Sequence, residues 1–130
     1  MADYAGVIVV QMVRDGETAH TAASLSVRLH LPKATVAKCL KMLARGGVLT
    51  SQRGAAGGYA LARPANAISV ADIVRALEGP VKLTDCAHSG EHDCQIQQTC
   101  PMRGGWDGIN AEIHQLLKTK TIADMARGAA

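Results

Sequence analysis

Phenylalanine is absent from this 130-residue chain, and one tryptophan and two tyrosines are its only aromatic residues. A core must therefore be packed from Leu, Val, Ile, Met and Ala, and a hydrophobic content of 48% is enough for one small helical fold. No apolar run is long enough to cross a bilayer: Gly6–Val13, GVIVVQMV, is the strongest, and Asp3 rather than a basic stretch precedes it. A cytoplasmic protein with no membrane partner is expected. Cys-x2-Cys pairs are also missing, and no Ser/His/Asp set is apparent, since His20, His30 and His114 are scattered and read as surface residues. The chain is therefore not expected to be an enzyme, and a thiol-redox catalyst is only the rival reading.

The most telling absence is of one sign of charge. The net charge is only +3, yet no acidic residue lies between Glu17 and Asp72. Arg28, Lys33, Lys38, Lys41, Arg45, Arg53 and Arg63 all fall in that stretch. A segment so basic between acidic flanks suits a nucleic-acid surface better than an ordinary solvated face. Its pattern agrees. Residues 3–14 are helix-compatible, Thr21 caps a second helix over AASLSVRLH, and Leu31-Pro32 breaks the chain before a third over Lys33–Arg45. That third helix has Val36, Leu40 and Leu43 on its inner side and Lys33, Ala34, Ala37, Lys38 and Lys41 on the other. Two short helices with a tight turn, the second basic outward, form the helix-turn-helix layout.

Gly46-Gly47 ends the third helix, and VLTSQRG and GYALA read as a β-hairpin wing with Arg53 at its tip. Ser69 and Asp72 make a box-like cap for a fourth helix reaching Glu78. Pro101 opens a longer helix whose Trp106, Ile109, Ile113, Leu116 and Leu117 form an apolar stripe, to pack on its own core or to pair with a second copy. Thr121–Asp124 reads as a further capped turn before a frayed end. The expected fold is mainly α, a winged helix-turn-helix with a small β-hairpin wing and a long C-terminal dimerisation helix. Its divisions are residues 1–80 for DNA binding, 81–101 for a cysteine-rich loop, and 102–130 for the dimer helix and tail.

Between the last two helices lie Cys86, Cys94 and Cys100, spaced Cys-x7-Cys-x5-Cys. These gaps are too wide for a zinc ribbon and suit a larger object such as an iron–sulfur cluster. Zinc held by three Cys and one His, or a redox-active dithiol, remains open on spacing alone. Asp85, His88, Glu91, His92 and Asp93 are further donors nearby. Cys39, on the inner side of the third helix, reads as a small core hydrophobe.

Asp3-Tyr4-Ala5, TVAKCLKMLARGGVLTSQRGAAGGYALARPA, ISVADIVRALEG, LTDC and CQIQQTCPMRGGW together resemble the Rrf-type winged-helix regulators, the family of IscR and NsrR. Within that family the chain looks most like the proteobacterial SUF-system regulators. The resemblance implies a homodimer on a double-stranded DNA operator, controlling iron–sulfur assembly or iron, redox or nitric-oxide response genes. It implies a 2Fe–2S or 4Fe–4S cluster on Cys86, Cys94 and Cys100, and a dimer interface through Trp106, Ile109, Ile113 and Leu116. DNA contacts fall to Lys33, Thr35, Lys38, Lys41, Arg53, Gly57 and Gly58. A zinc-stabilised regulator without a redox cluster is the alternative. Where IscR-like members place a histidine three residues after the last cysteine, this chain has Arg103, which has no lone pair for iron. Asp3 matches the Asp-X-Ala position of NsrR-like members, so the fourth ligand is expected to be Asp3 from the partner subunit, unless it serves only the helix dipole. Family members carry several residues before this segment. With only Met1 and Ala2 here, either the start lies upstream or some N-terminal phosphate contacts are missing.

Overall fold

A computed structural model describes residues 1–16, 19–52, 57–81, 96 and 98–128. Its helices are α1 (Ala2–Asp15), α2 (Ala22–Leu29), α3 (Lys33–Arg45), α4 (Val70–Glu78), α5 (Gly105–Thr119) and α6 (Ile122–Gly128). Strands β1 (Leu49–Gln52) and β2 (Gly58–Leu61) pair antiparallel, with Leu49 opposite Leu61 and Ser51 opposite Tyr59. The core is aliphatic, as the composition requires. Ile8, Val9 and Met12 of α1 meet Leu25, Val36, Leu40, Leu43, Val48, Ile68, Ile73 and Leu77, all buried, with Cys39 among them.

Local chemistry sets the element ends. The Thr21 hydroxyl accepts from the Ser24 amide, and Ser69 and Asp72 close a reciprocal capping box at α4. At the end of α3 the amides of Val48 and Gly47 return to the carbonyls of Leu43 and Ala44, a Schellman closure that puts Gly47 at φ 80°. Gly46 lets α3 lie against α4, since a Cβ there would sit 2.4 Å from that of Ala76.

Two elements differ from the sequence reading. α5 begins at Gly105 rather than Pro101, because Gly104 adopts φ 79° and the turn closes from the Gly105 amide to the Met102 carbonyl. The capped turn at Thr121 continues as α6, with Thr121 and Asp124 exchanging hydrogen bonds that hold the Asp124 carboxyl below its ordinary range. α6 packs on α1 and buries Ile122. Ser69 and Thr121 form a bridge, with Val70 bonded to the Lys120 carbonyl and Ile122 to that of Ile68. After α5 the chain thus returns beside the start of α4.

Candidate nucleic-acid interface and cysteine segment

α2 and α3 pack as the two helices of the expected motif, and α3 buries Val36, Cys39, Leu40 and Leu43. Its opposite face exposes Lys33, Ala34, Ala37, Lys38 and Lys41, while Thr35 is half-buried. The cations divide into two groups. Arg28 pairs with Asp15 at 2.5 Å and Arg63 with Asp72 at 3.1 Å, each reaching an acid that flanks the basic stretch. Among the described residues, no ion pair holds Lys33, Lys38, Lys41 or Arg45. Of the described cations in the basic stretch, the four without an ion pair all lie on α3.

The wing is tied to the motif by a contact the sequence reading missed. His20 is only 7% exposed rather than on the surface, because it forms an isolated antiparallel bridge with Tyr59 of β2. The His20 and Tyr59 main chains exchange two hydrogen bonds of 2.8 Å, which pull the His20 side chain inward. Its Nδ1 lies 3.9 Å from the Asp15 carboxylate, and Nε2 has no hydrogen-bond partner among the described residues. Gly58 has φ 116°, and a Cβ there would meet the His20 carbonyl oxygen at 2.6 Å. Packing against the linker is thus a second reason for glycine at this position. Gly57 has φ 44°, and Arg53 lies outside the described residues. The signal for this bridge was slight: one His before the Thr21 cap.

Of the cysteines, Cys86 and Cys94 lie outside the described residues, while Cys100 is half-buried with a free thiol. Arg103 is exposed. Asp3 stands in the first turn of α1 with its side chain 77% exposed, 3.1 Å from the Met1 amino group, whose hydrogen bond holds the carboxyl below its ordinary range. The α5 stripe splits by face. Trp106, Ile113 and Leu117 are half-buried, whereas Ile109 and Leu116 are exposed, and the helix as a whole packs on α4. One residue of α5 is buried, and it is Asn110, whose Nδ2 donates to the Val81 carbonyl at 2.8 Å. The sequence reading passed over it, although its phase relative to Trp106 and Ile113 marks the inner side of the helix.

The family model for Rrf2, an iron-dependent transcriptional regulator, matches residues 1–128. The chain belongs to the Rrf2 family. It is a transcriptional regulator of a DNA-binding family, not an enzyme, and its fold is the winged helix that the residue pattern implied. An HTH-type transcriptional regulator of Mycobacterium tuberculosis is 30% identical over 135 residues, spanning 98% of this chain and 80% of its own. The transcriptional repressor NsrR of Streptomyces coelicolor is 27% identical over 114 residues, 88% of this chain and 76% of its own. Among solved structures, T. potens IscR superposes with a TM-score of 0.67 and 28% identity, covering 99% of this chain and 85% of that one. These likenesses support the IscR/NsrR type within the family. Among the described residues no helix is long and apolar enough to cross a membrane.

Proposed function

We propose that the chain is an iron–sulfur-cluster-dependent regulator that binds a near-palindromic operator as a homodimer. Its targets would be genes of iron–sulfur assembly, through the SUF or ISC systems, or of iron, redox or nitric-oxide response. The observation that carries this reading is the unpaired cationic face of α3 in the same chain as a three-thiol segment set between α4 and α5. Lys33, Thr35, Lys38 and Lys41 enter the major groove, with Ala34 and Ala37 permitting close approach. Arg53 with Gly57 and Gly58 sets the wing against phosphates or the minor groove. About three cationic contacts per subunit give a log–log salt slope of roughly −5. Replacing Lys38 and Arg53 together by Ala is expected to lower operator affinity at physiological salt. Unchanged binding by the folded double variant overturns the assignment.

The donor set fits a cluster: three soft thiolates, one of them the unbridged Cys100, and the exposed Asp3 carboxylate for the open position. Cys86, Cys94 and Cys100 would hold it, completed by Asp3 of a second copy. Bound there, the group supplies redox- and ligand-sensitive chemistry. The second copy meets the chain through the α5 stripe of Trp106, Ile109, Ile113 and Leu116: Ile109 and Leu116, exposed like Tyr4 and Val7 near Asp3, make the first contact, and the half-buried Trp106 and Ile113 offer only their edges. A change in the cysteine segment alters α5, and so the spacing of the paired α3 helices. A coupling of about 1–3 kcal/mol suffices to switch occupancy. Visible absorption of anaerobically purified protein, followed by mobility shifts with and without the cluster, tests this. Cys→Ser at 86, 94 or 100 is expected to remove the absorption and leave the winged unit folded. Colourless, zinc-loaded protein overturns it.

A further inference from the structure

Asp15 ends α1 with its side chain 16% exposed, and both carboxylate oxygens have neighbours. Oδ1 accepts from Gln11 Nε2 at 2.9 Å, one turn back on the same helix. Oδ2 faces two groups at once, Arg28 Nη1 of α2 at 2.5 Å and His20 Nδ1 at 3.9 Å. At these distances the oxygen is bonded to Arg28, and the imidazole stands just outside hydrogen-bond range. The two partners differ in freedom. His20 is buried and fixed by its main-chain bridge to Tyr59, whereas the Arg28 side chain is 57% exposed. A cleft of about 260 Å³ among Asp15, His20, Ser24 and Arg28 leaves room for the imidazole to close on the carboxylate once the guanidinium has left.

DNA gives Arg28 a reason to leave. α2 is the helix of this motif that crosses the sugar-phosphate backbone, and a guanidinium pairs with phosphate as well as with carboxylate. A mostly buried carboxylate, however, is costly to strand without a cation. Among the described residues, His20 is the one other side chain beside Asp15 able to become a cation. We infer that Arg28 is a further DNA contact held in reserve, and that His20 takes its place on Asp15 when phosphate draws it away. The charges balance: on DNA, phosphate pairs with Arg28, and His20 binds one proton from solvent to pair with Asp15. Linkage sets the sign. Moving Arg28 away takes a positive charge from beside His20 and leaves it a negative one, so the complex holds the added proton more tightly than the free chain. Operator affinity therefore rises as pH falls. Arg63, on the β2 side of His20, stays with Asp72 in both states, and Tyr59 bonds to His20 through its main chain. The unpartnered Nε2 is common to both states and drops out of the difference. The inference rests on the proposal that a dimer sets its helix-turn-helix on DNA, and not on the cysteines.

The test uses the full chain and a short duplex that the unaltered chain selects from a random pool. Arg28→Ala is expected to shrink the log–log salt slope by about 2 for a dimer, and Arg28→Lys to restore most of it. An unchanged slope in folded Arg28→Ala means that Arg28 meets no phosphate, and the inference fails. Lowering the pH from about 8 to about 6 should tighten binding about tenfold more in the unaltered chain than in His20→Gln. Asp15→Asn keeps the imidazole, yet it should show the same flattened response while binding more tightly than the unaltered chain at about pH 8. A merely structural role for Asp15 gives weaker binding with the pH response retained, and that result overturns the exchange. A third arm needs no DNA. At about pH 7, the His20 imidazole proton signal in Arg28→Ala should lie nearer its protonated position than in the unaltered chain. If that signal stays where it is, His20 does not replace Arg28, whatever the DNA does. Failure of the unaltered chain to select any duplex overturns the proposed function instead, and the imidazole signal still judges the exchange.

Discussion

The described residues of 2–78 together with α6 bury something quite different from those of 79–120. The first region packs aliphatic side chains from five helices and closes its element ends with hydroxyl and carboxylate caps and a Schellman turn. In the second, α5 touches the rest of the molecule through half-buried side chains and one buried amide. Redundant contacts absorb a disturbance, because losing one leaves many. A region held by few contacts passes the disturbance on. Among the described residues, the winged unit is thus the redundantly packed part, and α5 is held by fewer buried side chains.

Core truncation gives the sharpest break of this contrast. Leu40→Ala should cost about 2–5 kcal/mol, because α3 sits centrally and its cavity cannot easily collapse. Its melting temperature should fall by on the order of 10 °C. Leu116→Ala on the exposed face of α5 should change the stability of the subunit by no more than about 0.5 kcal/mol. Thermal melts over a range of protein concentrations separate subunit stability from association. Equal losses in the two variants would erase the distinction between the regions.

Within the rigid region, the contact between wing and linker is the next place to press. Gly58→Ala puts a methyl group 2.6 Å from the His20 carbonyl oxygen at a φ of 116°, a strain of about 1–3 kcal/mol. The wing should detach before the helices melt. Operator affinity should fall while helical circular dichroism holds, and retained affinity would mean the wing is placed by something other than His20.

This contact marks where the sequence stopped being legible. The helices, their caps, the wing and the inner face of α3 could all be read because each depends on residues a few positions apart. Thr21 and Ser24, or Ser69 and Asp72, carry their own signal. His20 and Tyr59 do not, since nothing in either neighbourhood announces the other, and His20 was misplaced on the surface. α6 was shortened to a turn for the same reason: its packing on α1 lies more than a hundred residues away. Within the site, the basic face was legible from the missing acids. The pairing of Arg28 and Arg63 was not, because it depends on where the flanking acids fold. Asn110 was hidden by the rule that served elsewhere, that a stripe is read from its apolar members.

The division of the cations supplies a smaller test. Lys41→Ala removes an unpaired charge from α3, so the salt slope of operator binding by a dimer should shrink by about 2, with stability unchanged within about 0.5 kcal/mol. Arg63 is already held by Asp72, so Arg63→Ala should leave the slope nearly unaltered and cost a few tenths of a kcal/mol, roughly that of a surface pair. Slope titrations from low to physiological salt decide it. Equal slope changes would mean that Arg63 leaves Asp72 when DNA arrives.

The smallest effect concerns thiol chemistry and reaches both regions at once. Cys39 is fully buried between α1 and α3, and burial pushes its thiol up from the ordinary value, with the nearby Asp3 carboxylate adding to the rise and the amino terminus opposing it. Protonation and sequestration act in the same direction, because alkylation needs an accessible thiolate. Cys100 is half-buried and unbridged. In cluster-free protein at mildly alkaline pH, Cys39 should therefore react with iodoacetamide at least about a hundredfold more slowly than Cys100, at a rate set by opening of the core. Mass spectrometry of timed digests reads both sites in one sample. Should Cys39 label as fast as Cys100, α1 must open from α3 readily, and the aliphatic core would be no more rigid than the approach to α5.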